Sequence, residues 1–318
     1  MMHAVVTGAA GFIGSHLCEH LLSQGDEVVG VDALTDFYDP RRKRSHIQRL
    51  LEWNHFSFSE LELTATPLEE IFGKADVVYH LAGQPGVRPS WGSEFDVYLA
   101  RNVAATQRVL EALRVVPVWK LVYASSSSVY GDAETYPTSE TLRPQPVSPY
   151  GVTKLAGEHL CELYRREFGV PAVSLRLFTV YGPRQRPDMA FSRLVSAALQ
   201  GTSFLLYGDG EQTRDFTYVA DVVAAMRMAA LSTWSGVANV GGGARTSMIN
   251  AVRTVEELSQ PVDLIRLPVQ HGDVRHTGAD ITLARQAFGY DPQVTLREGL
   301  ARMVAHELAL AAPEPIAP

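Results

Sequence analysis

His3-Ala4-Val5-Val6-Thr7-Gly8-Ala9-Ala10-Gly11-Phe12-Ile13-Gly14 runs from a short apolar strand straight into three glycines spaced three apart. A helical run, Ser15–Gln24, and a second apolar strand, Glu27–Val31, follow at once and end on Asp32. Strand, glycine turn, helix and strand in this order form one β-α-β unit of a parallel sheet. Backbone NH groups at the helix N-terminus must approach a pyrophosphate closely, and a side chain at Gly11 or Gly14 would occupy that space. Gly8, Gly11, Phe12, Ile13 and Gly14 are therefore the candidate cradle, although the spacing is G-x-x-G-x-x-G and not the usual G-x-G-x-x-G. The carboxylate of Asp32 can accept both hydroxyls of an adenosine ribose and repels a 2′-phosphate, which selects NAD over NADP. The basic run Arg41-Arg42-Lys43-Arg44 reads as a solvated helix face, with Lys43 kept as a candidate cofactor ligand.

More strands follow, each ending on small or hydroxyl residues. Asp76–Leu81 leads into Ala82-Gly83, Leu121–Ala124 into Ser125-Ser126-Ser127-Ser128, and Ala172–Leu177 into Phe178-Thr179-Val180-Tyr181-Gly182. Helical patterns separate them, including Phe95–Arg114 and Lys154–Phe168. The alternation predicts an α/β fold: a Rossmann-type, doubly wound parallel sheet, whose ligands lie at the carboxyl ends of the strands. Leu81 and Ala82 join the candidate cofactor contacts on this ground. His80, at the end of an apolar strand, is expected to be a hydrogen-bonded core residue.

The chain has 318 residues, enough for a large core or two lobes. Its net charge of −7 excludes nucleic acid or an acidic membrane as the main partner. Cys18 and Cys161 have neither disulfide-framework nor metal spacing, so no metal is expected. The first residues lack the basic start and apolar run of a signal peptide, and no apolar stretch reaches spanning length. A cytoplasmic enzyme is the expectation, with a flexible tail at 311–318.

The chemistry centres on Tyr150-Gly151-Val152-Thr153-Lys154. A tyrosine and a lysine four apart share a helix face. A cation beside a phenol lowers its pKa below about 10. With a serine hydroxyl alongside, such a pair can take a proton from a carbinol while hydride leaves its carbon.

On these segments, together with Asn102, Gly208–Val219 and Gly272–Asp280, the sequence resembles the extended short-chain dehydrogenase/reductase family, in its nucleotide-sugar epimerase/dehydratase branch. The resemblance runs nearly end to end. It implies Tyr150 as the acid/base, Lys154 as holder of its charge and of the nicotinamide ribose, and Ser126 as the catalytic hydroxyl. It implies a nucleotide-binding domain of 1–178 with about 219–244, and a smaller α/β substrate lobe of about 179–218 with 245–310. A homodimer through helices 95–114 and 150–168 is implied too, with Leu155, Leu160, Leu163 and Tyr164 as compatible apolar positions. Where relatives have Asp-Leu or Asp-Ile near the adenine, this chain has Glu62-Leu63.

Relatives that dehydrate the sugar carry Asp-Glu after the catalytic hydroxyl residue, and those that decarboxylate UDP-glucuronate carry Glu at the second position. Here Ser127 and Ser128 stand there. Without those carboxylates, the 4-keto sugar is left to rotate and take its hydride back on the other face, a C4 epimerisation. Thr179 with Arg186 looks like the UDP-glucuronate 4-epimerases, since a guanidinium holds a carboxylate bidentately. Arg214, Arg275 and Arg88 are the candidate diphosphate ligands. The alternatives are a UDP-glucose or UDP-N-acetylglucosamine 4-epimerase, then a UDP-glucuronate decarboxylase. A non-catalytic NAD-sensing protein is the rival from another class.

Overall fold

A computed structural model describes residues 1–311. The first six strands are β1 (His3–Thr7), β2 (Glu27–Asp32), β3 (Phe56–Glu60), β4 (Val77–His80), β5 (Lys120–Ser126) and β6 (Ala172–Leu177). Then come β7 (Val180–Tyr181), β8 (Phe204–Tyr207), β9 (Thr213–Asp215), β10 (Thr217–Tyr218), β11 (Gly236–Val240), β12 (Arg245–Ser247) and β13 (Leu264–Leu267). The α-helices are α1 (Phe12–Ser23), α2 (Pro40–Leu50), α3 (Glu69–Phe72), α4 (Phe95–Tyr98), α5 (Ala105–Val115) and α6 (Pro149–Phe168). They continue as α7 (Ala190–Gln200), α8 (Val219–Leu231), α9 (Met248–Leu258), α10 (Thr282–Phe288) and α11 (Leu296–Ala311). Ala311 closes the last helix. The remainder of the expected tail, 312–318, lies outside the described residues.

One seven-stranded sheet has the order β11-β6-β5-β4-β1-β2-β3, with every neighbouring pair parallel. The strand order reverses at β1, so a crevice opens beyond its carboxyl end. Thr7 pairs with Val31 on one side and His80 on the other, which places the glycine turn between Asp32 and Leu81. The strands alternate their side chains between two cores. Val6, Val77, Tyr79 and Val122 face α1, α2 and α8, whereas Val5, Val78, Leu121 and Tyr123 face α3, α5 and α6. The first of these cores continues through Phe191 and Leu194 into the small two-stranded pairings, β10 with β7, β12 with β9 and β13 with β8.

Two elements differ from the sequence reading. β3 was not foreseen, because Phe56-Ser57-Phe58-Ser59-Glu60 is a half-polar edge strand. The helix expected over Phe95–Arg114 is broken into α4, a π-helical segment Leu99–Ala104 and α5. π-segments concentrate at functional sites, and this one carries Arg101 and Asn102 towards the crevice.

Candidate active site

The carboxyl ends of β1, β2, β4 and β5 open into one cavity of about 220 Å³. Gly8, Gly11, Phe12, Ile13 and Gly14 line one end with Asp32, Lys43, Leu81 and Ala82, while Tyr150, Lys154 and Arg186 line it as well. Every expected cofactor contact therefore meets in a single space. Glu62 and Leu63 line it too, beside β2.

The glycine turn is tighter than its sequence implied. A Cβ on Gly14 would lie 2.1 Å from the Gly8 carbonyl oxygen, so the turn's own backbone already demands glycine there. A Cβ on Gly11 would meet only that oxygen, at 3.1 Å. Both glycines line the cavity.

Asp32 accepts the NH groups of Ala10 (3.2 Å) and Leu34 (2.8 Å). Burial raises its pKa, and the nearby Lys43, with those two NH groups, pulls it back. Each oxygen keeps a lone pair for a ribose hydroxyl. Reading Arg41–Arg44 as a solvated face needs correction at one position. Lys43 is buried, donating to Thr35 Oγ1 at 3.1 Å and lying 3.9 Å from Asp32. Helical spacing turns only this residue inward; Arg41 and Arg44 stay exposed on Asp39 and Glu60.

Helix α6 starts at Pro149, capped by Ser148 Oγ, which accepts the Gly151 NH at 3.1 Å. Proline at the first helical position and a serine cap are strong start signals. They place Tyr150 in the first turn, where the helix dipole favours a phenolate. Burial nevertheless raises the phenol's pKa, with Ser126 and Arg186 pulling it back. The Lys154 ammonium donates to the Ala124 carbonyl at 2.9 Å and lies over the Tyr123 ring, and burial lowers its own pKa to about 8.

Ser126 closes β5, and its hydroxyl interacts with the NH (3.2 Å) and the hydroxyl (3.1 Å) of Ser128. Ser127 and Ser128 form a short 3₁₀ turn, with both side chains half-buried. Neither serine, nor Thr179, lines the cavity. The other three arginines lie apart from it and gather on one loop. Arg88 pairs with Asp273 at 2.6 Å and lies over the Tyr207 ring. Arg214 donates to the carbonyls of Thr213, Val274 and Arg275, while Arg275 pairs with Asp209 at 2.9 Å.

Residues without a sequence-derived role complete the site. Asn102 accepts the Gln84 NH at 2.6 Å and donates to Thr153 Oγ1 at 2.9 Å, tying the loop after β4 to α6. Arg101 donates to Gln84 Oε1 at 2.8 Å, and Phe37 and Tyr38 line the cavity together with Asp32. Asn102 is already among the positions that carry the resemblance, without a role; Arg101 is marked only by the π-segment, which hydrophobic periodicity does not reveal. His80 is the satisfied core residue expected, between the hydroxyls of Thr7 (2.8 Å) and Thr106 (3.1 Å). Both cysteines are free and buried, and burial raises their pKa values.

A glycine turn feeding a helix, a ribose-matching carboxylate and a Tyr-Lys pair in one crevice define a dinucleotide-dependent enzyme of the Rossmann type. The chain belongs to the NAD dependent epimerase/dehydratase family, whose model matches residues 4–241. It is 42% identical to the UDP-glucuronic acid 4-epimerase of Bacillus cereus, solved with UDP-glucuronic acid and NAD, at a TM-score of 0.94 over 97% of this chain and 100% of that one. A UDP-glucuronate 4-epimerase of Thermodesulfobacterium geofontis is 35% identical over 96% of this chain and 95% of its own. An uncharacterised UDP-glucose epimerase of Bacillus subtilis is 43% identical over 96% of this chain and 98% of its own.

Among the described residues, no helix is long and apolar enough to cross a membrane, and no His/Cys/Asp/Glu group is arranged to hold a metal ion.

Proposed function

We propose that this chain is an NAD-dependent UDP-sugar 4-epimerase that interconverts UDP-glucuronate and UDP-galacturonate. The observation that carries the choice of sugar is Arg186, which lines the same cavity as Tyr150 and Lys154. A guanidinium beside the reacting end suits a C6 carboxylate. The residues fit NAD: Gly11 leaves room at the turn, and Asp32 keeps acceptor capacity beside it. When bound, NAD takes a hydride from C4 and gives it back.

Tyr150 takes the C4 hydroxyl proton and later returns it, with the Ser126 hydroxyl sharing it, a role supported by the pull of Ser126 on the phenol's pKa. Lys154 holds the nicotinamide ribose and supplies positive charge. Ser127 and Ser128 contact the sugar without providing a carboxylate for dehydration or decarboxylation. Thr179 and Arg186 hold the C6 carboxylate so that the C5–C6 bond stays out of line with the ketone π system, which suppresses loss of CO₂. Arg88, Arg214 and Arg275 take the diphosphate, a role supported by their convergence on residues 273–275.

The same reading divides the chain into a nucleotide-binding part, 1–178 with 219–244, and a substrate part, 179–218 with 245–310. The return of β11 to the large sheet supports it. It also takes the enzyme to be a cytoplasmic homodimer through the helical stretches 95–114 and 150–168. Of the four nominated positions, Tyr164 is buried, Leu155 and Leu160 pack into the monomer, and Leu163 stays exposed alongside Leu99 and Val152.

Replacing Arg186 with Met tests the substrate. KM for UDP-glucuronate should rise about ten- to a hundredfold, the scale of a charge-assisted contact (about 1.5–3 kcal/mol); unchanged kinetics would sink the assignment.

A further inference from the structure

The loop Gly182–Met189 delivers Arg186 to the cavity from an anchored backbone. Arg184, at a φ of 63°, turns back to α1, where Nη1 and Nη2 reach the two oxygens of Glu19 at 2.7 and 2.6 Å. Its Nη2 also meets the His16 ring at 2.7 Å. A non-glycine residue in that conformation costs about 1–3 kcal/mol, which this ion pair, 7% exposed on the arginine side, helps to offset. Gln185 fixes the next step, with Nε2 donating to the Val180 carbonyl at 3.0 Å and Oε1 accepting the Ser192 NH at 2.9 Å.

Arg186 itself is gripped from one side. Its Nε and Nη2 donate to the two oxygens of Asp188 at 3.0 and 2.9 Å. A guanidinium offers two carboxylate-sized forks, side-on through Nε and Nη2 and end-on through Nη1 and Nη2. Asp188 fills the first. No acceptor meets Nη1 among the described residues, and the side chain lines the cavity.

We infer that Asp188 is a positioning residue that sets substrate specificity: by holding the side-on edge of Arg186, it aims the end-on edge at a carboxylate on the sugar. The inference rests on the uronate reading above. The opposing idea is that Asp188 competes, keeping Arg186 occupied until substrate displaces it. The geometry favours aiming. Arg186 already reaches the cavity with Asp188 attached, and its charge is already felt at Tyr150 and Lys43. Arg186 lines the cavity and Asp188 does not, and the acid is the more exposed of the two, at 43% against 18%.

The test uses NAD-loaded enzyme carrying Asp188→Asn, Asp188→Glu or Arg186→Met. Steady-state kinetics on UDP-glucuronate are combined with calorimetric binding of UDP alone and with thermal melting. Asp188→Asn should raise KM about tenfold, equivalent to about 1.4 kcal/mol, with kcat, UDP affinity and melting temperature close to wild type. Asp188→Glu should recover part of the loss. A KM that falls or stays constant in Asp188→Asn, while Arg186→Met still raises it, overturns aiming and leaves the uronate reading intact. An equal loss of UDP affinity also overturns it, since the effect would then belong to the whole loop. Wild-type enzyme inert towards UDP-glucuronate would overturn both.

Discussion

Glu158 and Arg176 form a buried two-point ion pair, with Nη2 to Oε2 at 2.7 Å and Nε to Oε1 at 2.9 Å. Glu158 lies one turn beyond Lys154 on α6, and its carboxylate also accepts the hydroxyl of Ser125, next to Ser126. Arg176 continues the chain to the Tyr130 hydroxyl at 2.8 Å. The pair thus locks the helix bearing Tyr150 and Lys154 to the strand end bearing the serines. A buried pair adds little net stability, but breaking it strands a charge. Glu158→Gln should therefore cost about 3–5 kcal/mol in urea unfolding. Adding Arg176→Met to it should restore most of that. A single variant within about 1 kcal/mol of wild type, the worth of an exposed pair, would contradict the account.

Tyr150→Phe keeps the edge contact with the Tyr98 ring, whose centroid lies 6.3 Å away, and removes only the hydroxyl. Turnover should fall about 10²- to 10⁴-fold, the range of a positioned acid/base. Bound NAD, measured by absorbance after denaturation, should stay at the wild-type level. A loss under tenfold would mean that another group moves the proton.

Gly11→Ala and Gly14→Ala should separate two demands that look alike in sequence. The Cβ at position 14 collides with a backbone carbonyl at 2.1 Å, so that variant should lose stability or solubility. The Cβ at position 11 needs only small adjustment, at 3.1 Å, yet enters the cavity. Gly11→Ala should melt near wild type without cofactor and bind NAD at least about tenfold more weakly. Equal behaviour of the two would refute the distinction.

Burial holds His80 at about 3, against 6.5 in the unfolded chain. Because the folded pKa is depressed, the unfolded chain takes the proton first. The histidine's contribution is complete above pH 6.5 and is lost as pH falls towards 3. His80→Gln keeps a hydrogen-bonding side chain without that titration. Its stability gap to wild type should close by about 1.4 kcal/mol per pH unit below 6.5. A gap constant from pH 7 to 5, from denaturant curves, would contradict the assignment.

Much of the large sheet was legible because strand ends and glycine spacing are local signals. Asp32, Ala82 and Tyr150 fall where a parallel sheet must place them. What escaped depends on contacts distant in sequence. Lys43 stands out only as a candidate within a run read as solvated, because tertiary packing decides which side of α2 turns inward towards Asp32. The direction of the Lys154 ammonium depends on a carbonyl thirty residues away. The pairing of Arg184 with Glu19, 165 positions earlier, has no sequence signature at all.

C4 epimerisation of a uronate in this one cavity can be followed by NMR of UDP-glucuronate incubated with the NAD-loaded enzyme. UDP-galacturonate should build up to an equilibrium mixture, with no CO₂ released and no free NADH. Conversion to a pentose nucleotide with CO₂, or turnover of UDP-glucose with UDP-glucuronate untouched, would contradict it.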